Sequence, residues 1–341
     1  MLSHFLPGTH PLNTFFHFGR AGVIAFFVLS GFLITGILIR YRDRGLEAGR
    51  PGAYLPTFYL RRALRIFPAY YLLIAVVALS GYAPVSEHLG WHLSYTSNMA
   101  TAASLINFAD AGHLWSVCVE EQFYLLWPAV VLFTPPSRLG RAVVVLIAGG
   151  LAYKLIGSLF NMPWVATSFV LPGCLDALGL GALLALLVQK HEPNFVQRAI
   201  APWALVGLVT LCILQFIRAT AQGDVKEWPV YQTLIDMSIA LPCLWVILAA
   251  VTRSSPIQTA VLSWRPLRYI GRISYGVYLN HFFLRTAMPR LSGALGVDLP
   301  PTGVSTFLLY SATAILIAAV SWHCVEYPLN RLKNSWAPVA D

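Results

Sequence analysis

The sequence predicts an all-α, polytopic bundle of about ten transmembrane helices, the first of them truncated. Three observations lead there. The 341 residues are 57% apolar and only 11% charged, with a mean hydropathy of +0.66, a balance that lipid solvates better than water. Apolar runs of about 20 residues, the length that crosses a hydrocarbon core at ~1.5 Å rise per residue, recur from end to end with little polar sequence between them. The formal net charge of +9 is carried largely by Lys and Arg between those runs, which is the pattern of membrane topology and excludes nucleic acid as the natural explanation.

In chain order, a stub over 1–7 reads as the tail of a spanning helix, so the numbering is expected to begin inside a longer chain or at a late start. Nine full spans follow near 21–40, 58–80, 113–134, 142–160, 168–190, 200–218, 230–251, 271–289 and 304–325. The first holds Gly22, Ser30 and Gly31, small residues that let another backbone approach, and the second opens on Arg61, Arg62 and Arg65. The third carries two adjacent carboxylates, the fourth Lys154, the fifth Asp176 and the seventh Asp236. The eighth has a Tyr275/Tyr278 face followed by His281, and the ninth ends near His323 and Glu326, for which capping or an ion pair with Arg331 is expected. The Pro-Pro pairs at 135–136 and 300–301 mark loop edges, and 45–56 is a Gly- and Pro-containing loop. The whole reads as a single transmembrane domain over 1–333 with a short cytoplasmic tail over 334–341. If the loop 40–57 is cytoplasmic, that face collects most of the 23 Lys and Arg. Arg20, Arg218, Lys226, Arg285 and Arg290 mark the other face, which places the C-terminus in the cytoplasm and the loop 81–112 outside.

The segment from His113 to Tyr124 is the most informative. Glu120 and Glu121 lie within the first two turns of an apolar helix, where an ionised group costs about 2.5–3.5 kcal/mol on insertion scales and persists where it is used or paired. Helical spacing sets Ser116 and Glu120 on one face, with His113 a turn earlier and Tyr124 a turn later, while Glu121 points elsewhere. The alternative is a structural ion pair with an Arg of a neighbouring helix. Arg61, Arg62 and Arg65 could grip a phosphorylated ligand or simply anchor the helix by the positive-inside rule. Asp176 and Asp236 either line a cavity or pair with Lys154, and His281 suits a polar packing or pore role. The five cysteines stand singly, and His88 and His92 are loop residues without acidic or thiol neighbours, so neither a disulfide nor a metal is expected.

Five segments together resemble the acyltransferase 3 family of membrane O-acyltransferases: FFVLSGFLIT at 26–35, FYLRRALRIFPAYY at 58–71, HLWSVCVEEQFYLLWP at 113–128, RISYGVYLNH at 272–281 and VEYPLNR at 325–331. They span nearly the whole chain in the family's order. The resemblance implies about ten helices in the inner membrane, an acyl-CoA donor (usually acetyl-CoA), and an acceptor hydroxyl on a polysaccharide, lipid-linked sugar or glycosylated metabolite. It also implies an essential histidine closing the first helix, matched here by His4, with His10 and His17 as second choices. The arginine that partners this histidine would precede Met1. Ser116, Glu120 and Glu121 fall at the implied catalytic end and Arg61, Arg62 and Arg65 near the implied donor site. Some family members carry a fused extracytoplasmic domain, so a separate extracytoplasmic partner protein is one expectation and direct transfer the other.

Acyl transfer from a thioester to an alcohol needs a base for the hydroxyl proton, a stabiliser for the oxyanion and exclusion of water. Histidine, titrating near neutrality, suits the first need, and a nearby carboxylate can orient and charge-stabilise it. The rival readings are a glycan or lipid transporter, since buried polar groups also mark substrate pathways, and a sensor or scaffold without chemistry. Neither an inverted repeat nor a symmetric pair of broken helices supports the first, and a scaffold has no use for the carboxylate pair.

Overall fold

A computed structural model describes residues 1–6, 18–50, 52–107, 111–221, 229–253, 256–297 and 302–337. All regular structure among them is helical. After the short α1 (Leu2–Phe5) come α2 (Phe18–Glu47) and α3 (Leu55–Leu79), then three short helices, α4 (Ala83–Ser86), α5 (Leu89–Leu93) and α6 (Ser97–Ala102). The series continues with α7 (Leu114–Phe133), α8 (Pro136–Leu159), α9 (Trp164–Ser168), α10 (Leu171–Lys190), α11 (Pro193–Thr220) and α12 (Pro229–Thr252). The last group is α13 (Pro256–Ser263), α14 (Arg265–His281), α15 (Leu284–Ala294), α16 (Val304–Ser321), a π-helical turn at Trp322–Glu326, and α17 (Tyr327–Trp336). Among the described residues, eight helical segments are long and apolar enough to cross a membrane by length and composition. The protein is a multi-pass membrane helix bundle.

One span differs from the sequence expectation, and two other regions take a form it left open. The span expected at 271–289 is two helices, α14 and α15, parted at Phe282 and Phe283. Its first half is rich in arginine (Arg265, Arg268, Arg272), and the break leaves His281 at a helix end instead of mid-span. Among its described residues the loop 81–112 folds onto α3: Tyr70 and Tyr71 of α3 donate hydroxyl hydrogen bonds to the carbonyls of His92 (2.8 Å) and Leu93 (3.1 Å). His92 is a buried part of that fold, and burial lowers its pKa. At the other end α17 runs to Trp336, and the buried Ala337 accepts a hydrogen bond from Arg61 Nη1 through its carbonyl (2.8 Å). Ala337 is therefore packed into the bundle, while Asn334, Ser335 and Trp336 before it stay exposed.

The long helix α2 is central, packed against α10, α12 and α7, while α14, α16, α17 and α3 form the other side. Lipid tails are as apolar as leucine, so helices associate through close packing and not through the hydrophobic effect. The α2–α10 contact shows how: a Cβ on Gly31 of α2 would overlap the Leu178 carbonyl of α10, and one on Gly181 of α10 would overlap the Val28 carbonyl of α2. The two glycines are reciprocal, each making room for the other helix's backbone. By contrast Gly22 has open space around it, so only part of the small-residue pattern is used for packing. Gly31→Ala and Gly181→Ala are each expected to destabilise by about 1–3 kcal/mol, the usual cost of overpacking. Thermal unfolding in detergent, read by size-exclusion after heating, checks this; melting at the wild-type temperature would contradict it.

Candidate functional site

Two cavities sit at opposite ends of α2. The first, of about 490 Å³, is lined by Arg40 and Arg44 of α2, Arg61, Arg62 and Arg65 of α3, Lys333 and Asn330 of α17, and the rings of Tyr41 and Phe58. Among the described residues no carboxylate lines it. The three predicted arginines are thus joined by two more from the preceding helix and by a lysine from near the end of the chain. They are not equivalent. Arg65 lies 3.9 Å from the buried Glu326, 5.2 Å over the Trp322 ring, and donates to the Arg272 carbonyl at 3.3 Å. Glu326 therefore pairs with Arg65 rather than Arg331, since the π-turn carries it back under α3. Arg61 tethers Ala337 as described, which leaves Arg62 as the predicted arginine most fully committed to the cavity.

The second cavity, of about 910 Å³, lies between α2, α7 and α14. His4 of α1, Arg20 of α2, His113 at the N-terminal cap of α7, Ser116 and Glu120 of α7, and Tyr278 and His281 of α14 all line it. Four expected residues of one helical stripe resolve as follows. Glu120 Oε1 accepts the Ser30 hydroxyl at 2.5 Å, and Ser30 Oγ is 2.9 Å from the Tyr124 hydroxyl, closing a buried trio across α2 and α7. Ser116 Oγ is 2.6 Å from the Tyr278 hydroxyl, which donates to the His113 carbonyl at 2.7 Å. Tyr124 braces Glu120 through Ser30 and does not itself line the cavity. Glu121, one residue on and about 100° round the helix, lines neither cavity, and its Oε1 is buried without a hydrogen bond.

Three histidines gather in the wall of the second cavity. The His4 ring is 5.3 Å from that of His281 and 5.3 Å from Phe282, and the His113 ring is 5.4 Å from His281 and stacks on Phe282 at 4.8 Å. His281 Nδ1 is 2.6 Å from the Tyr278 carbonyl and His113 Nε2 is 2.9 Å from the Leu279 carbonyl. A carbonyl only accepts, so each of those nitrogens carries a proton. Among the described residues no group of three or more His, Cys, Asp or Glu side chains is placed to hold a metal ion. His10 and His17 lie outside the described residues.

Asp176 and Asp236 do not line either cavity. Both are wholly buried and are bonded to Lys154 Nζ, at 2.5 and 2.7 Å, and Asp236 also holds Arg20 in a two-pronged bond at 2.7 and 2.6 Å. Of the two roles open to them, the chain uses pairing, because an isolated carboxylate in an apolar bundle is too costly. Sequence reading missed Arg20, Ser30, Arg40, Arg44 and Lys333. Arg40, Arg44 and Lys333 carried only a topological signal, and Arg20 looked like one outside charge among five.

The protein is thus a multi-pass membrane bundle with a cationic pocket at one end of α2 and a cavity of imidazole, carboxylate and hydroxyl groups at the other. Comparison with known proteins supplies the family. Residues 1–324 match the acyltransferase 3 family, an acyltransferase domain, and the chain belongs to it. Similar curated proteins include the peptidoglycan O-acetyltransferase OatA of Listeria monocytogenes, 27% identical over 92% of this chain and 51% of the relative. Others are a putative O-acetyltransferase of Staphylococcus aureus strain COL, 26% identical over 92% of this chain and 53% of the relative, and the O-acetyltransferase OatA of S. aureus strain NCTC 8325, 25% identical over the same shares. The chain spans about half the length of these relatives. No solved structure is a significant match.

Proposed function

We propose that this chain is an inner-membrane O-acyltransferase that takes an acyl group, acetyl in the first instance, from acyl-CoA at its cytoplasmic face and delivers it to a glycan hydroxyl on the other. The C-terminus is cytoplasmic in this reading. The observation that carries it is the pairing of the two cavities along one helix. From Phe26, in the outer cavity, to Ile37, in the basic one, α2 rises roughly 16 Å at ~1.5 Å per residue. That is a distance the extended pantetheine arm of CoA can bridge while its phosphates stay on arginines. Tyr41 and Phe58 offer faces for the adenine.

His4 then acts as the base that takes the acceptor's proton, and Glu120 supplies the negative charge that stabilises the resulting imidazolium from within the same cavity. Ser30 and Tyr124 hold that carboxylate still. Ser116 and Tyr278, tied to each other and to the His113 carbonyl, shape the wall against which the acceptor rests. Glu121 has no part in the chemistry. The names of the relatives favour a cell-wall or other glycan over a small alcohol as acceptor, and group transfer over the transport of glycan or lipid. Membrane lipid is the other partner.

The test is a labelled assay: purified protein in detergent, acetyl-CoA labelled in the acetyl group, and an oligosaccharide acceptor. Label in the glycan without a second protein supports direct transfer. Label that appears only when an extracytoplasmic fraction is added assigns the last step to a partner. A protein that neither binds nor hydrolyses acetyl-CoA is not an acyltransferase.

Arg62→Ala alone and Arg61→Ala/Arg62→Ala together are expected to raise the apparent KM for acetyl-CoA, tenfold or more for the pair by the usual ~1.5–3 kcal/mol of a hydrogen bond to a charged group, with a smaller effect on kcat, the signature of lost ground-state binding. The single variant separates phosphate contact from the Arg61 tether to Ala337. Unchanged donor affinity by calorimetry would leave these arginines a topological role only.

A further inference from the structure

We infer that Arg20 is the oxyanion-stabilising donor of the transfer, its guanidinium Nη1 hydrogen-bonding the thioester carbonyl oxygen as that oxygen takes up negative charge. The inference rests on the acyltransferase reading above.

Acyl transfer needs such a donor, and the hydroxyl groups of the outer cavity are already committed. Of the hydroxyls that line it, Tyr278 spends its proton on the His113 carbonyl, Tyr275 on the Ile66 carbonyl, Ser274 on the Gly271 carbonyl and Ser116 on the Tyr278 oxygen. Arg20 differs. Asp236 saturates Nε and one proton of Nη2, and the side chain, 15% exposed, is part of the cavity wall. Nη1 carries two further donors in the plane of the fork.

The guanidinium is also fixed on more than one side. It lies 6.0 Å from the Trp115 ring centre, Trp115 stacks on Phe169 at 4.1 Å and 3°, and Phe169 meets Trp164 edge-on at 4.9 Å. Asp236 in turn is held by Lys154, and Lys154 by Asp176. Four ionised groups from four helices, two positive and two negative, sum to no net charge, and Arg20 is the only one of the four that lines a cavity. Burying the other three is expensive; their use is to hold the fourth without movement, which is what electrostatic stabilisation of a transition state requires.

The register agrees. Along α7, Trp115, which meets Arg20, is two residues from His113, which meets His281 beside His4. That is roughly 3 Å of helix rise, so donor and base occupy one layer of the cavity, with Glu120 roughly 7–10 Å deeper on the same helix. In the step itself the acceptor oxygen bonds to the thioester carbon and its proton passes to His4. The carbonyl π pair moves onto oxygen, where Arg20 Nη1 donates to it. Collapse restores the C=O bond, breaks the C–S bond and returns the proton to the departing CoA sulfur, giving an ester and free CoA thiol.

Two variants test it in detergent, with acetyl-CoA as donor, chitotetraose as acceptor probe, and acetyl-CoA hydrolysis without acceptor measured alongside. Arg20→Gln/Asp236→Asn removes cation and carboxylate together and leaves Lys154 and Asp176 balanced. Arg20→Lys keeps the charge but not the fork. The double variant is expected to elute and melt as the wild type, with kcat about 10²–10³-fold lower and donor KM unchanged. Hydrolysis falls in parallel, because attack by water passes through the same oxyanion. If the double variant does not fold, Arg20→Lys decides, with a loss of about tenfold or more expected. Wild-type hydrolysis in a folded variant overturns the inference, whether the chitotetraose KM rises, which would make Arg20 an acceptor contact, or stays put. A wild-type protein that does not turn over acetyl-CoA sinks the acyltransferase reading and this inference with it.

Discussion

Replacing Glu120 with glutamine is expected to cut acyl transfer by about 10²–10³-fold or more while leaving the protein folded in the membrane. Glutamine keeps the volume and an oxygen that can accept from Ser30, so the buried trio with Tyr124 survives and only the charge is lost. Glu120's hydrogen-bond partners are hydroxyls, not a cation, so the substitution strands no opposite charge, unlike the breaking of a buried ion pair. Stability is therefore expected to be unchanged or slightly higher. Glu121→Gln is the internal comparison, since Glu121 shares the helix and the depth but lines neither cavity. Near-wild-type turnover of labelled acetyl-CoA by Glu120→Gln, or equal losses in both variants, would remove Glu120 from the mechanism.

The second large effect is at His4. His4→Ala is expected to lower kcat by about 10²–10⁴-fold, the range for removing a general base. The measurement that separates catalysis from packing is the pH–rate profile. In the wild type, activity falls on the acid side as protonation removes the base, and that limb disappears in His4→Ala, whose residual rate is flat there. His281→Ala is the control: its ring touches His4 and its Nδ1 is tied to the Tyr278 carbonyl, so a smaller loss with the acid limb retained is expected. A His4→Ala protein that acylates its acceptor at the normal rate would show the ring to be packing against Phe282 and nothing more.

Much of this protein was legible in one dimension. Composition and the recurrence of apolar runs determine the all-α, multi-pass class, because lipid admits only backbone that satisfies its own hydrogen bonds. The 3.6-residue period set Ser116, Glu120 and Tyr124 on one stripe and turned Glu121 away, and the helix behaves so. The cost of buried charge flagged Lys154, Asp176 and Asp236 as belonging to something. Pairing across the chain was decided only by the tertiary structure. Ser30 meets Glu120 over 90 positions and Arg20 meets Asp236 over 216; no local pattern encodes either contact, since each depends on how α2 lies against α7 and α12. The same holds for the break at Phe282, which turned an expected span into two helices and put His281 beside His4. Periodicity reports which way a side chain faces from its own helix. Which group waits opposite is settled by packing, where steric fit and the need to neutralise buried charge select one partner among many.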